Sequence, residues 1–121
     1  MARYPGLLLR VLSTKYPAMG PGKARLVTLI ADTGSISAAA RAMGMSYRRA
    51  WQLVEALNQS FKQRVVLTAV GGKRGGGAVV TDFGRRLARD YRQMEEKASA
   101  AIASDLRRFS RRLRTAARPK R

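Results

Sequence analysis

The sequence predicts a mainly α-helical fold with one small β-hairpin, closed by a long C-terminal helix. Three observations predict it. Apolar residues recur at spacings of three and four through most of the chain after residue 21. Two short β-branched segments flank a glycine-rich stretch. From Asp82 onward no proline occurs until Pro119. A chain of 121 residues suits one domain with a modest core.

Residues 1–20 form an N-terminal arm or strand. Leu7, Leu8, Leu9, Val11 and Leu12, bounded by Pro5-Gly6 and Pro17, read as a strand rather than a helix because the run is short and flanked by breakers. After Gly20-Pro21-Gly22 a helix follows, with Leu26, Val27, Leu29 and Ile30 on its apolar face and Gly34 as its C-terminal cap. Residues 35–37 turn the chain. Ser37 is the expected N-cap of a brief helix from Ala38 to Met43, which stops at Gly44. A third helix starts at about Ser46, another N-cap candidate, and runs to about Gln59, burying Ala50, Val54 and Leu57.

Residues 65–70 read as a strand and residues 78–81 as its return, joined by the glycine-rich loop Gly71-Gly72-Lys73-Arg74-Gly75-Gly76-Gly77. One helix is then expected over residues 82–114, before a basic tail at 115–121. Its apolar stripe is Phe83, Leu87, Tyr91, Met94, Ala98, Ile102, Leu106, Phe109 and Leu113. A stripe so narrow, kept over about four heptads, is the pattern of a helix that pairs with another, so Phe83 through Leu106 are the candidate dimerisation residues. A helix of that length reaches about 45 Å, longer than a small domain needs.

Charge points to the partner. Twenty-five Lys and Arg face seven Asp and Glu, for a net charge of +18. Eight of the basic groups lie in residues 107–121, where there is no acid, so seventeen remain against all seven acids in the rest of the chain. Phosphate backbones answer such a surplus best, because release of their counterions drives binding. Most of the surplus is arginine, which suits phosphate and base contacts better than lysine does.

The order of elements (helix, short helix, tight turn, helix, hairpin, long helix) is that of a winged helix-turn-helix over residues 21–81. In such a unit the second helix buttresses the third, which enters the DNA major groove where base edges are distinguishable. Ser46, Tyr47, Arg48, Arg49 and Gln52 lie on the first turns of the third helix, opposite its apolar stripe. Arginine can grip guanine O6 and N7 with two hydrogen bonds, and glutamine can do the same for adenine. Lys73 and Arg74, on the wing loop, are placed to meet phosphates or the minor groove. Trp51, a large apolar residue, is assigned to the core rather than to a contact.

Three stretches carry a family resemblance. Gly34-Ser35-Ile36-Ser37-Ala38-Ala39-Ala40 through Gly44-Met45-Ser46-Tyr47 resembles the helix-turn-helix of LysR-type regulators. With Ser46-Tyr47-Arg48-Arg49-Ala50-Trp51, and with Gly71 through Val79 followed by Thr81, the chain is more similar to the DNA-binding domain of molybdate-responsive ModE-type regulators. The resemblance covers roughly residues 20–110. It implies a winged-helix dimer that binds a palindromic operator through the third helix and the wing. ModE-type regulators also carry C-terminal oxyanion-binding domains. The arginine-rich residues that end this sequence cannot build them, so sensing of molybdate or another oxyanion is not expected of it.

Other classes fit poorly. The chain has no Cys and no His, which removes thiolate metal sites, disulfides and most acid–base catalysis. Gly71-Gly72-Lys73 lacks the rest of a P-loop, because Arg74 follows the lysine and Leu67 stands where the first glycine belongs. No enzyme and no cofactor are expected. No apolar run is long enough for a signal peptide core or a membrane span, so a cytoplasmic, nucleoid location is expected. The expected partners are double-stranded DNA and a second copy of the chain. The alternative is a nucleoid-associated architectural protein of low sequence specificity, which the basic tail would suit.

Overall fold

The computed structural model describes residues 6–14, 17–68 and 77–114. Along the chain run β1 (Val11–Leu12), β2 (Pro17–Met19), α1 (Pro21–Thr33), α2 (Ile36–Met43), α3 (Tyr47–Ser60), β3 (Val66–Thr68), β4 (Ala78–Val80), α4 (Asp82–Ala101) and α5 (Ala103–Ser110). Helices α1, α2 and α3 enclose the core with the start of α4, and the β3–β4 hairpin lies against α1 and α4. This is the mainly α winged helix-turn-helix that the sequence predicts.

Local chemistry sets most boundaries. Pro21 occupies the start of α1, where a missing N–H costs nothing and the fixed φ suits the helix. Gly34 ends α1 in the left-handed region at φ 69°, with its N–H donating to the Ile30 carbonyl at 2.7 Å. Gly44 ends α2 at the same φ. The sequence places both turns, because glycine takes this conformation without the clash a β-carbon would meet.

The start of α2 corrects the expectation. Ser35, not Ser37, is the N-cap: its Oγ accepts from the Ala38 amide at 2.9 Å. The helix therefore begins at Ile36, which is buried. Ser37 lies inside the helix, exposed, and its Oγ accepts from Arg41 at 3.2 Å. Capping at Ser35 lets Ile36 enter the core as part of the first turn.

The N-terminal arm is a hairpin rather than one strand. β1 pairs antiparallel with β2, setting Val11 opposite Met19 and Leu12 opposite Pro17. Ala18 and Met19 are buried, so the second strand, not the leucine run, supplies most of this unit's core contact. Leu8 and Leu12 are exposed. The Tyr91 hydroxyl of α4 donates to the Leu9 carbonyl, tying the arm to the last buried turn of the long helix.

That tyrosine supplies a pH test. Burial, aided by the charge of Glu95, pushes the Tyr91 phenol up from 10.0 to about 12. The unfolded chain then ionises first, so the phenol's contribution is full below pH 10 and is lost as pH rises towards 12. Tyr91→Phe is expected to cost about 1 kcal/mol at neutral pH, the net worth of one hydrogen bond. In urea melts the gap between the two proteins is expected to shrink above about pH 10; a gap constant to pH 12 would contradict the assignment.

In the wing, β3 and β4 are antiparallel with Val66 opposite Val80, Leu67 opposite Val79 and Thr68 opposite Ala78. Residues 69–76 lie outside the described residues, and with them most of the glycine-rich loop, including Lys73 and Arg74; so does the tail at 115–121. The return strand is shorter than expected because Thr81 caps α4. Its Oγ1 accepts from the Gly84 amide at 2.9 Å and donates to the Arg64 carbonyl at 2.7 Å.

The expected single helix over 82–114 is interrupted. Ile102, at φ −112° and ψ 17°, separates α4 from α5. Its N–H still reaches the Ala98 carbonyl at 3.2 Å, and its carbonyl accepts from the Leu106 amide at 2.7 Å, so the winding continues through the irregularity. The last buried residue of α4 is Tyr91, and α5 buries none. Among the described residues, every hydrogen bond of the two helices after Arg92 is local, and helical segments held only in that way are marginal alone.

Candidate nucleic-acid interface

The turn between α2 and α3 is compact. Gly44 reverses the chain, the Met45 amide donates to the Ala40 carbonyl at 3.0 Å, and Ser46 caps α3 by accepting from the Arg49 amide at 3.0 Å. Ala50, Val54 and Leu57 are buried, which fixes the rotation of α3. Small side chains at Ala39, Ala40 and Ala50, all buried, let the two helices approach closely.

With the inner face so fixed, the outer face of the first two turns carries the expected residues together. Ser46, Tyr47, Arg48, Arg49 and Gln52 are all exposed. The Ser46 hydroxyl is already engaged as a cap, so its first role is to start the helix. Tyr47 is 53% exposed and meets Trp51 edge-on, with ring centroids 6.3 Å apart. Trp51 is half-buried and packs against the core, as the sequence reading has it. Among the described residues the sole ion pair joins Arg108 to Asp105, so no acid neutralises Arg48 or Arg49.

One positioning residue escapes the sequence reading. Asn58, in the last turn of α3, accepts at Oδ1 from the amides of Val65 and Val66, at 2.8 and 3.0 Å, and donates from Nδ2 to the Val66 carbonyl at 3.0 Å. It bolts α3 to the first wing strand. Its signal in the sequence was a polar residue four positions after Val54, on the buried stripe. Arg41, exposed on α2, is a further cation on this unit that composition alone does not distinguish.

The candidate dimerisation residues fall into two groups. Phe83 and Leu87 pack against the core and Tyr91 is buried in it, so these three serve their own domain. Met94 is 43% exposed, Ala98, Ile102 and Leu106 are half-buried, and Phe109 and Leu113 are exposed. Among the described residues there is no group of three or more side chains that could hold a metal ion, and no helix long and apolar enough to cross a membrane.

Comparison with known proteins places this geometry. The chain is 43% identical over 94 residues to the molybdenum-pterin-binding protein MopB of Rhodobacter capsulatus, covering 78% of this chain and 35% of that protein. It is 40% identical over 88 residues to the DNA-binding transcriptional dual regulator ModE of Escherichia coli K12, covering 70% and 34%. To the molybdenum transport protein ModE of Azotobacter vinelandii it is 35% identical over 85 residues, covering 70% and 32%. The chain thus spans about a third of the length of the curated relatives it matches. In fold it is similar to a solved structure of a Lactococcus lactis ZitR variant, with a TM-score of 0.54 at 11% identity, covering 91% of this chain and 72% of that one. The model of the bacterial regulatory helix-turn-helix proteins of the lysR family matches residues 23–85, just over half of the chain. The chain belongs to that family.

Proposed function

We propose that this protein is a sequence-specific, DNA-binding transcriptional regulator that acts as a dimer. One observation carries the reading: α2 and the Gly44 turn present an exposed row of Tyr47, Arg48, Arg49 and Gln52 on the first turns of α3, with no acid among the described residues paired to either arginine. A helix of this kind reads base edges in the major groove, and the guanidinium forks suit guanine. The wing, with Lys73 and Arg74 in its loop, holds the flanking backbone. The resemblance to a DNA-binding transcriptional dual regulator supports the same role.

The dimer forms through the part of the apolar stripe that the domain leaves uncovered, from Met94 to Leu106 and on to Phe109 and Leu113. Two recognition helices then meet major-groove faces about one helical turn apart. The protein works where the chromosome is, in the cytoplasm, and performs no catalysis of its own.

Fluorescence anisotropy on matched and mismatched duplexes divides the labour. Arg48→Ala is expected to lower discrimination at one base position about tenfold or more, whereas Lys73→Ala weakens all duplexes alike and lowers the salt slope by about one. Equal losses on every duplex for both variants would contradict the assignment.

A further inference from the structure

A second cationic feature lies away from the recognition helix. Arg85, Arg89 and Arg92 follow one another on α4 at spacings of four and three, so they share a face. That face borders a cleft of about 340 Å³ between α4 and α1. Val27 and Ala88, both buried, form part of the cleft's apolar floor. All three arginines are exposed at its rim.

Two details give the cleft the character of a site. The Arg92 guanidinium donates to Thr28 Oγ1 at 2.7 Å, and that hydroxyl in turn donates to the Ala24 carbonyl at 3.1 Å. Arg92 is therefore held in place across the cleft before any ligand arrives. Among the described residues Arg85 and Arg89 have no ion-pair partner, and Asp32, the one acid lining the cleft, forms no ion pair with any of the three. The cleft thus keeps a surplus of about two positive charges over an apolar floor, where attraction to an anion is stronger than in open water. Planar guanidinium forks match phosphate oxygens with two parallel hydrogen bonds, and three forks can engage different oxygens of one group.

We infer that the α1–α4 cleft binds a phosphate group through Arg85, Arg89 and Arg92. The phosphate is either a free anion of small size or a backbone phosphate of DNA that passes beside the domain. The site is independent of base reading by α3, and the inference does not rest on that reading.

The test follows the arginine Nε–H signals of the full chain by NMR during titration with inorganic phosphate at constant ionic strength, with chloride as the control. The expected result is saturable shifts confined to Arg85, Arg89 and Arg92. Arg89→Gln is expected to weaken the site about tenfold, the usual loss for one charge-assisted hydrogen bond, and Asp32→Asn to tighten it a few-fold. Both changes are at exposed positions, so the fold serves as its own control in circular dichroism. If inorganic phosphate does not saturate these signals but a duplex shifts them, and Arg89→Gln lowers the salt slope of duplex binding by about one, the phosphate is that of the DNA backbone. Shifts spread evenly over all arginines and linear in phosphate, with no effect of Arg89→Gln on either ligand, would overturn the inference.

Discussion

Gly84→Ala is expected to destabilise the protein by about 2–3 kcal/mol, the upper part of the range for forcing extra volume into a packed core. Gly84 is buried in the first turn of α4. A β-carbon there would stand 2.6 Å from the Val65 carbonyl oxygen, 2.9 Å from Val80 Cγ1 and 3.0 Å from Val65 Cγ1. The nearest of these is backbone, and the Thr81 amide holds it by a hydrogen bond of 3.0 Å. It cannot move without pulling the start of α4 away from the wing. A fall in Tm of about 8–15 °C follows for a domain of this size. Gly22→Ala is the control: among the described residues nothing beyond its chain neighbours and its own helix backbone would lie within 4 Å of a β-carbon there, and alanine suits a helix better. It is expected to leave stability unchanged or to raise it by about 0.5 kcal/mol. Similar melting curves for the two variants would show that the approach of α4 to the wing base is not tight.

Asn58→Ala is expected to cost about 2–4 kcal/mol. The side chain satisfies two amides and one carbonyl at the start of β3. Removing it strands these part-buried groups, at a cost of about 1–3 kcal/mol for each that water cannot reach. Asn58→Asp keeps an acceptor for both amides but sets a charged oxygen, in place of the donor, against the Val66 carbonyl, so it is expected to recover only part of the loss. The residue also fixes the wing against α3. Duplex affinity of Asn58→Ala is therefore expected to fall at temperatures where the chain is still folded. Urea melts and anisotropy on the same preparations check both parts. A loss under about 0.5 kcal/mol would mean that water replaces the side chain at no cost.

The contrast between these residues and the correctly anticipated ones shows where sequence reasoning reaches. Gly34, Gly44 and Ser46 act on their own neighbours within four residues, so their roles were legible from local chemistry. The stripe Ala50, Val54, Leu57 was legible for the same reason, and it fixed which residues of α3 face outward. Ser35 and Ser37 are both eligible caps by type, and the choice between them depended on Ile36 finding a place in the core. Gly84 has no local reason to stand in a helix, because the Val65 carbonyl it accommodates lies nineteen residues earlier. Tyr91 read as a dimer contact because its partner, Leu9, is 82 residues away. The break at Ile102 was invisible because neither proline nor glycine marks it, and the loss of tertiary support after Tyr91 is a property of the packed domain.

The central claim is that α3 reads sequence on behalf of a dimer. Its most direct test is selection of bound duplexes from a random-sequence DNA pool at about physiological salt, followed by sequencing. The account predicts an enriched motif with two-fold symmetry and half-sites about one helical turn apart. No enriched motif, with binding retained at low salt, would contradict it and would assign the +18 charge to an architectural protein that grips DNA without reading it.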